Sequence, residues 1–270
     1  MCVQANGYAV VAQTWMANLA TRMAVDDPSM AAEAKVYTAR ATAIRAAAHA
    51  AFYMGSGATG CNLDAPDASN SGTVRNMSGS AMQCYKDTPV ADEHSSYTSA
   101  TATSVAAFAR LPPTGARGVL ELVPFLQARQ GRRGAGHGLE TSGWMTGFML
   151  KGLYLAAGEI EEGALPTELV HAGAEYAYSV LTNPGNNSWL GMLRQNATMT
   201  MESWTQAPFD KEGGGTFSHP WTASPAYVIP RLWMGVRPVE ESWRRVTIRP
   251  LPSTHMRSAS ISLLTLRGPI

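Results

Sequence analysis

The stretch ALPTELVHAGAEYAYSVL, residues 164–181, decides the fold class of this chain. Its apolar residues recur every three or four positions, which places them on one face of an α-helix. These residues are Leu165, Leu169, Ala172, Tyr176 and Val180. Stretches of the same kind fill most of the first 200 residues, so the sequence predicts a mainly α-helical protein.

Helical patterns extend on both sides of this stretch. Two apolar stripes near the N-terminus predict a pair of helices separated by a turn at residues 26–29. The first stripe consists of Tyr8, Val11, Trp15, Leu19 and Met23, and the second of Met30, Ala34, Tyr37, Ala41, Ile44, Ala48 and Phe52.

More helices are predicted further along the chain, with Gly- and Pro-rich breakers between them. Their ranges are 95–110, 114–130, 141–157, 189–193 and 224–235, the last interrupted at Pro230. Residues 244–248 and 258–266 then alternate in the manner of β-strands. We therefore predict helical hairpins over residues 1–236 and the start of a β domain over residues 237–270.

The composition narrows the classes of function. The 270 residues carry a formal charge of +1 and contain no basic run of five or more residues. We therefore expect neither a nucleic-acid partner nor a membrane-binding basic surface. No apolar stretch reaches the ~18 residues typical of a membrane-spanning helix. The first residues lack the basic region of a signal peptide, and the compartment stays open.

Cysteine and histidine spacing gives no sign of a metal centre. The three cysteines, Cys2, Cys61 and Cys84, lack CxxC spacing, and no two histidines are four residues apart. We predict no metal ion and no other cofactor. A disulfide between Cys61 and Cys84 is compatible with a secreted chain, and the sequence leaves this pairing open.

Residues 55–93 interrupt the helical pattern. This segment is rich in Gly, Ser, Asn, Thr and Asp, which predicts a long loop. Its acidic residues are a second source of carboxyl groups, although a solvated loop is the simpler interpretation. They are Asp64, Asp67, Asp87, Asp92 and Glu93.

Candidate functional residues lie in GMLRQNATMTMESWTQAPFDKEGGGTFSHP, residues 191–220. Glu202 stands between small polar and bulky aromatic residues, and His219 follows 17 positions later. A pyranose has an apolar face for an aromatic ring and hydroxyls for hydrogen bonds, so this pattern favours a sugar-cleaving enzyme. Glycoside hydrolysis normally needs two carboxyl groups, and only Glu202 is easily found. A surface or capping Glu202 and a structural His219 are the alternatives.

Several blocks resemble, in the same order, the C-terminal half of the α-L-rhamnosidases of glycoside hydrolase family 78. The last blocks are the most specific. Their order, which is MESW, histidine, Gly-x-x-Pro, strand and proline, is not a generic helix pattern. The blocks are AKVYTARATAIR (34–45), EHSS (93–96), AAFARLP (106–112), GWMTGFML (143–150), SWLGM (188–192), MESW (201–204), SHPWTASP (218–225) and GVRPVEESWRRVTIRPLP (235–252).

The resemblance implies part of an (α/α)6 six-hairpin toroid, followed by the beginning of a C-terminal β-sandwich. It implies inverting hydrolysis of terminal α-L-rhamnose in rhamnose-containing glycosides or polysaccharides. In such chemistry one carboxylic acid protonates the leaving oxygen while a carboxylate activates water. By motif, Glu202 takes the position of the general base and His219 that of a substrate-binding histidine. Trp144 and Trp204 take the positions of sugar-facing aromatics.

The family's general-acid motif, an acidic motif containing arginine and followed by tryptophan, has no counterpart in this chain. The resemblance therefore implies a fragment that lacks the N-terminal half of the barrel and is weakly active or inactive alone. The alternative is a non-catalytic carbohydrate-binding remnant or scaffold. Other (α/α)6 enzymes, such as uronyl hydrolases and lyases, lack the MESW and SHPW blocks. An incomplete toroid also predicts an exposed apolar patch on the first helix, at Tyr8, Val11, Trp15 and Leu19.

Overall fold

The computed structural model of this chain describes residues 2–54, 61, 82–86, 100–132, 136, 138–158, 166–204, 216–251 and 253–270. Helices dominate these residues, as the periodicity predicted. None of the described helices has the length and apolar character needed to cross a membrane. The five acidic residues of the predicted 55–93 loop lie outside the described ranges.

The chain divides into two compact units, Met1–Leu126 and Gln127–Ile270. The boundary that we predicted between residues 236 and 237 separates a helical barrel from a β domain. It differs from this division between residues 126 and 127, and it stays a prediction.

A helical hairpin begins the first unit. Helices α1 (Val3–Met23) and α2 (Met30–Phe52) pack against each other, and α3 (Ala100–Ala109) packs on α1. Strand β1 (Tyr53–Met54) pairs antiparallel with β2 (Cys84–Tyr85), so that Met54 lies opposite Cys84. A disulfide joins Cys61 to Cys84, the pairing that the sequence left open.

Small residues form the buried side of the first hairpin together with Val3, Val10, Val11 and Phe52. A Cβ atom at Gly7 would lie 2.3 Å from Val105 Cγ1, so a glycine is required where α1 meets α3. The predicted exposed patch is confirmed in part: Trp15 and Leu19 are 57% and 51% exposed. Val11 is buried, contrary to the prediction, because it lies beside Val10 on the face that packs inwards.

The single helix predicted at residues 114–130 is wrong. Two helices replace it, α4 (Ala116–Leu120) and α5 (Val123–Arg132). Pro124 explains the break, because its ring and missing N–H are tolerated in the first turn of a helix but not in its interior.

Helix α6 organises the second unit. Helix α6 (Gly143–Gly158) packs on α7 (Thr167–Leu181), and the short α8 (Trp189–Arg194) follows. Ser188 caps α8, since its Oγ accepts a hydrogen bond from the Gly191 N–H at 2.9 Å. A 3₁₀ turn (Pro220–Thr222) then precedes α9 (Pro225–Val228), which continues as a π-helix (Ile229–Trp233) through Pro230.

Short antiparallel strand pairs occupy the C-terminal part of the second unit. Strand β3 (Val236–Pro238) pairs with β4 (Val246–Ile248), and β5 (Leu264–Thr265) pairs with β6 (Gly268–Pro269). The strand predicted at 244–248 is confirmed over Val246–Ile248. Of the strand predicted at 258–266, only its end forms β5. A β-sandwich stays a prediction.

Candidate functional site

Glu202 and His219 lie on two neighbouring backbone segments of the second unit. The His219 N–H donates to Thr200 O at 2.7 Å, and the Glu202 N–H donates to Thr216 O at 3.0 Å. The Thr200 hydroxyl also donates to His219 O at 2.9 Å. The structure therefore brings these two predicted residues together.

The Glu202 side chain stands at the surface with one hydrogen bond in the described region. Its Oε2 accepts from the Thr216 N–H at 2.9 Å. The residue is half-buried, which leaves the carboxylate within reach of water. A carboxylate placed in this way is able to accept a proton from a water molecule.

The His219 ring is held by an aromatic neighbour. Its centroid lies 4.0 Å from that of Trp221, with 31° between the ring planes. Among the described residues, the buried His219 Nδ1 has no hydrogen-bond partner. Buried polar atoms of this kind are uncommon and call for an explanation, such as a ligand or an ordered water.

Trp144 reaches the same cluster from the start of α6. It is 38% exposed, and its ring lies 6.1 Å from that of Trp221 at an interplanar angle of 26°. A Cβ atom at Gly143 would lie 2.4 Å from Thr222 Cγ2, so only glycine allows α6 to approach the 3₁₀ turn this closely. This close approach explains how Trp144 comes beside Trp221.

Trp204 has a different environment from Trp144. It is 6% exposed, and its indole N–H donates to Thr141 O at 2.6 Å. Its ring meets that of Trp189 edge to face at 5.1 Å, and the Trp189 N–H donates to Thr222 O at 2.8 Å. Trp204 thus packs beneath the surface, and its assignment as a sugar-facing residue stays a prediction.

Trp221 is a further member of this cluster that was not predicted from the sequence. Its indole N–H donates to Glu202 O at 2.8 Å, while its ring contacts His219 and lies near Trp144. Trp221 belongs to the SHPWTASP block, and that block was the available signal. Nothing local in the sequence indicates a hydrogen bond to a residue 19 positions earlier.

A buried ion pair in the second unit was also missed. The Arg129 guanidinium donates two hydrogen bonds to the Glu140 carboxylate, with Nε to Oε2 at 3.0 Å and Nη2 to Oε1 at 2.5 Å. Arg129 is 7% exposed, and Glu140 precedes Thr141, whose carbonyl holds Trp204. The pair therefore stabilises the backbone that supports Trp204.

An open apolar cavity lies beside this cluster without including it. Its volume is about 310 Å³, which is at the lower end for ligand pockets. None of Glu202, His219, Trp204 and Trp144 lines it, so we do not assign it to the sugar. The lining residues are Trp189, Met192, Leu193, Ala197, Thr198, Met199, Thr200, Ala223, Pro225 and Ala226.

The described ranges contain no metal-binding cluster. Nowhere in them do three or more His, Cys, Asp or Glu side chains come together in a way that would hold a metal ion.

Two solved structures are similar to this chain in fold. The native α-L-rhamnosidase from Aspergillus terreus superposes with a TM-score of 0.62 at 18% identity, over 97% of this chain and 24% of that protein. The Streptomyces avermitilis α-L-rhamnosidase complexed with L-rhamnose gives 0.54 at 22% identity, over 96% and 20%. No protein-family model and no curated protein matches the sequence. The chain thus has a rhamnosidase-like fold and spans a quarter or less of these relatives.

Proposed function

We propose that this chain is part of an α-L-rhamnosidase-like glycoside hydrolase that cleaves terminal α-L-rhamnose with inversion. The observation that carries the proposal is the backbone pairing that brings Glu202 and His219 to one place. The fold similarity to α-L-rhamnosidases supports the substrate class.

In this proposal Glu202 is the general base. Its carboxylate accepts one backbone hydrogen bond and remains accessible, so it can take a proton from the water that attacks the anomeric carbon. His219 binds a sugar hydroxyl through its ring. Trp144, which is partly exposed, stacks on the apolar face of the sugar. Trp204 is almost fully buried, and its assignment as a sugar-facing residue stays a prediction.

We further propose that residues 1–236 form part of an (α/α)6 six-hairpin barrel and that residues 237–270 begin a C-terminal β-sandwich. The helical hairpin α1–α2, the α6–α7 pair and the strand pairs after residue 235 are consistent with this division.

Among the described residues we assign no general acid. Three described carboxylates of the second unit are engaged elsewhere: Glu140 by Arg129, Glu175 by Ser253 and Glu240 by Arg245. Asp210 and Glu212 lie outside the described residues. We propose that the acid belongs to an N-terminal half of the barrel, which accords with the small share of the relatives that this chain spans.

The same observation favours a second candidate, a non-catalytic carbohydrate-binding protein. A site with aromatic rings, a histidine and a single carboxylate can hold a sugar without cleaving it. The two candidates differ in whether Glu202 changes the rate of a reaction or only the affinity for a sugar.

The decisive experiment compares binding and turnover. Binding of L-rhamnose is followed by saturation-transfer NMR, and turnover by release of dinitrophenol from a 2,4-dinitrophenyl α-L-rhamnoside, whose leaving group needs little protonation. Glu202→Gln should retain binding and reduce turnover by ~10²–10⁴-fold. Glu168→Gln, a substitution on an exposed position of α7, is the matched control and should leave both unchanged.

Further arms separate the two candidates. With Glu202→Ala, added azide should restore release of dinitrophenol and give a rhamnosyl azide of inverted configuration. Turnover that is insensitive to Glu202→Gln would refute the assigned base. Binding of L-rhamnose without any turnover by the unsubstituted chain would favour the non-catalytic candidate.

A further inference from the structure

Trp221 touches both residues of the proposed site. Its indole N–H donates to the carbonyl oxygen of Glu202 at 2.8 Å. Its ring lies against the imidazole of His219, with centroids 4.0 Å apart. Because Glu202 and His219 are far apart along the chain, one side chain connects two segments that meet only in the folded protein.

Burial does not explain a tryptophan at this position. Trp221 is 42% exposed, so a large part of its ring contributes nothing to a core. Trp204, by contrast, is almost fully buried and packs as a core tryptophan does. The specific features of Trp221 are its hydrogen-bond donor and its flat face, and each of these contacts a proposed functional residue.

We propose that Trp221 is a positioning residue that fixes Glu202 and His219 relative to each other. Its N–H holds the carbonyl of Glu202 and so restrains the direction in which the carboxylate leaves the backbone. Its ring face holds the plane of the His219 imidazole. This inference rests on the proposed function, because it assumes that the two residues act on the same sugar ring.

Two substitutions separate the contributions of the donor and the ring. Trp221→Phe keeps an aromatic face for His219 and removes the N–H that Glu202 O accepts. Trp221→Leu removes both. Trp233→Phe is the matched control, because the Trp233 indole N–H has no hydrogen-bond partner among the described residues and its ring packs on Tyr178.

The first measurement needs no activity. The face of an indole shields protons above it, so the His219 ring resonances should move downfield in Trp221→Leu and less in Trp221→Phe. Assignment is made with His219→Gln, which lacks these resonances. Trp233→Phe should leave them in place. His219 resonances that do not respond to Trp221→Leu would overturn the proposed contact.

The second measurement tests the consequence for the site. Loss of one neutral hydrogen bond should lower kcat for the dinitrophenyl rhamnoside by about two- to tenfold in Trp221→Phe, with KM nearly unchanged. Trp221→Leu should also weaken L-rhamnose binding, since His219 loses its support. The proposal is overturned if both variants lower only the unfolding midpoint and leave kcat, KM and L-rhamnose affinity as they were.

The two proposals fail in different ways. If the unsubstituted chain neither binds L-rhamnose nor releases dinitrophenol, the proposed function fails, and the resonances of His219 still decide whether Trp221 positions this ring. If the unsubstituted chain turns over and Trp221 variants match it, the positioning role fails while the proposed function stands.

Discussion

Thr222→Val should destabilise the second unit through one buried hydrogen bond. Thr222 is completely buried, and its hydroxyl donates to Met201 O at 2.6 Å, with His219 O as a more distant second acceptor at 3.2 Å. Valine has almost the same shape as threonine, so packing is retained. The carbonyl of Met201, however, loses this donor, and Met201 is itself buried. Leaving a buried acceptor unsatisfied costs about 1–3 kcal/mol.

The assay is urea unfolding followed by tryptophan fluorescence, which reports on Trp189 and Trp204 near the substituted position. We expect a lower midpoint with an unchanged slope, because the amount of surface exposed on unfolding stays the same. Thr182→Val is the control. Thr182 is the exposed residue that follows α7, and its hydroxyl donates to Tyr178 O at 2.9 Å, where water can replace it.

Thr182→Val should therefore change the free energy of unfolding by no more than about 0.5 kcal/mol, as is usual for surface substitutions. Equal effects of the two substitutions would refute the reasoning, because they would mean that the Thr222 hydroxyl is no more important than a solvated one. A gain in stability from Thr222→Val would refute it as well.

Three further changes test other features of the fold. Gly143→Ala should cost about 1–3 kcal/mol in urea unfolding, since the new Cβ would lie 2.4 Å from Thr222 Cγ2; an unchanged midpoint would show that α6 shifts freely. Reducing the Cys61–Cys84 disulfide, which spans 23 residues, should lower the stability of the first unit by about 3 kcal/mol, and equal midpoints with and without dithiothreitol would contradict this. Burial lowers the pKa of His49, so as the pH falls through ~6.5 the unfolded chain binds more protons than the folded one. The free energy of unfolding should therefore decrease when the pH is lowered from 7 to 5. His49→Gln should flatten that dependence, and an unchanged slope would refute the contribution of His49.

Local patterns predicted the helices best where both ends carry a signal. The turn before α2 contains Asp27, whose Oδ1 accepts hydrogen bonds from the Ser29 N–H at 3.0 Å and from the Ser29 hydroxyl at 2.7 Å. The predicted stripe from Met30 to Phe52 coincides with α2. Pro124 indicates a break within residues 114–130, but the apolar periodicity alone predicted one helix there. The structure has two, α4 and α5.

The apolar stripe predicted on α1 marked its buried face only in part, since Val11 is the one residue of the stripe that is buried. Close packing of α1 on α2 and α3 selects Gly7, Ala17 and Ala20, while Trp15 and Leu19 face outwards. A stripe of large side chains usually marks the core, but small side chains form the contact when helices approach closely. Composition indicated close packing without indicating which face takes part.

The candidate site was predictable only as a set of residue types. The flanks of Glu202 and the histidine after it indicated the segment to which we assign the proposed site. Thr200 and His219 are hydrogen-bonded although they lie 19 positions apart in the chain. No local spacing specifies such a contact. Periodicity also cannot distinguish a buried tryptophan such as Trp204 from an exposed one such as Trp144.

The surroundings of two carboxylates explain why the base is assigned to Glu202 and not to Glu140. Glu140 receives two hydrogen bonds from a buried guanidinium, so both of its carboxylate oxygens are already engaged. At Glu202 the backbone is held through its N–H to Thr216 and its carbonyl to Trp221, and the carboxylate accepts one hydrogen bond, from the Thr216 N–H. The backbone is fixed while the carboxylate stays open to water, and a general base in an inverting reaction needs both conditions.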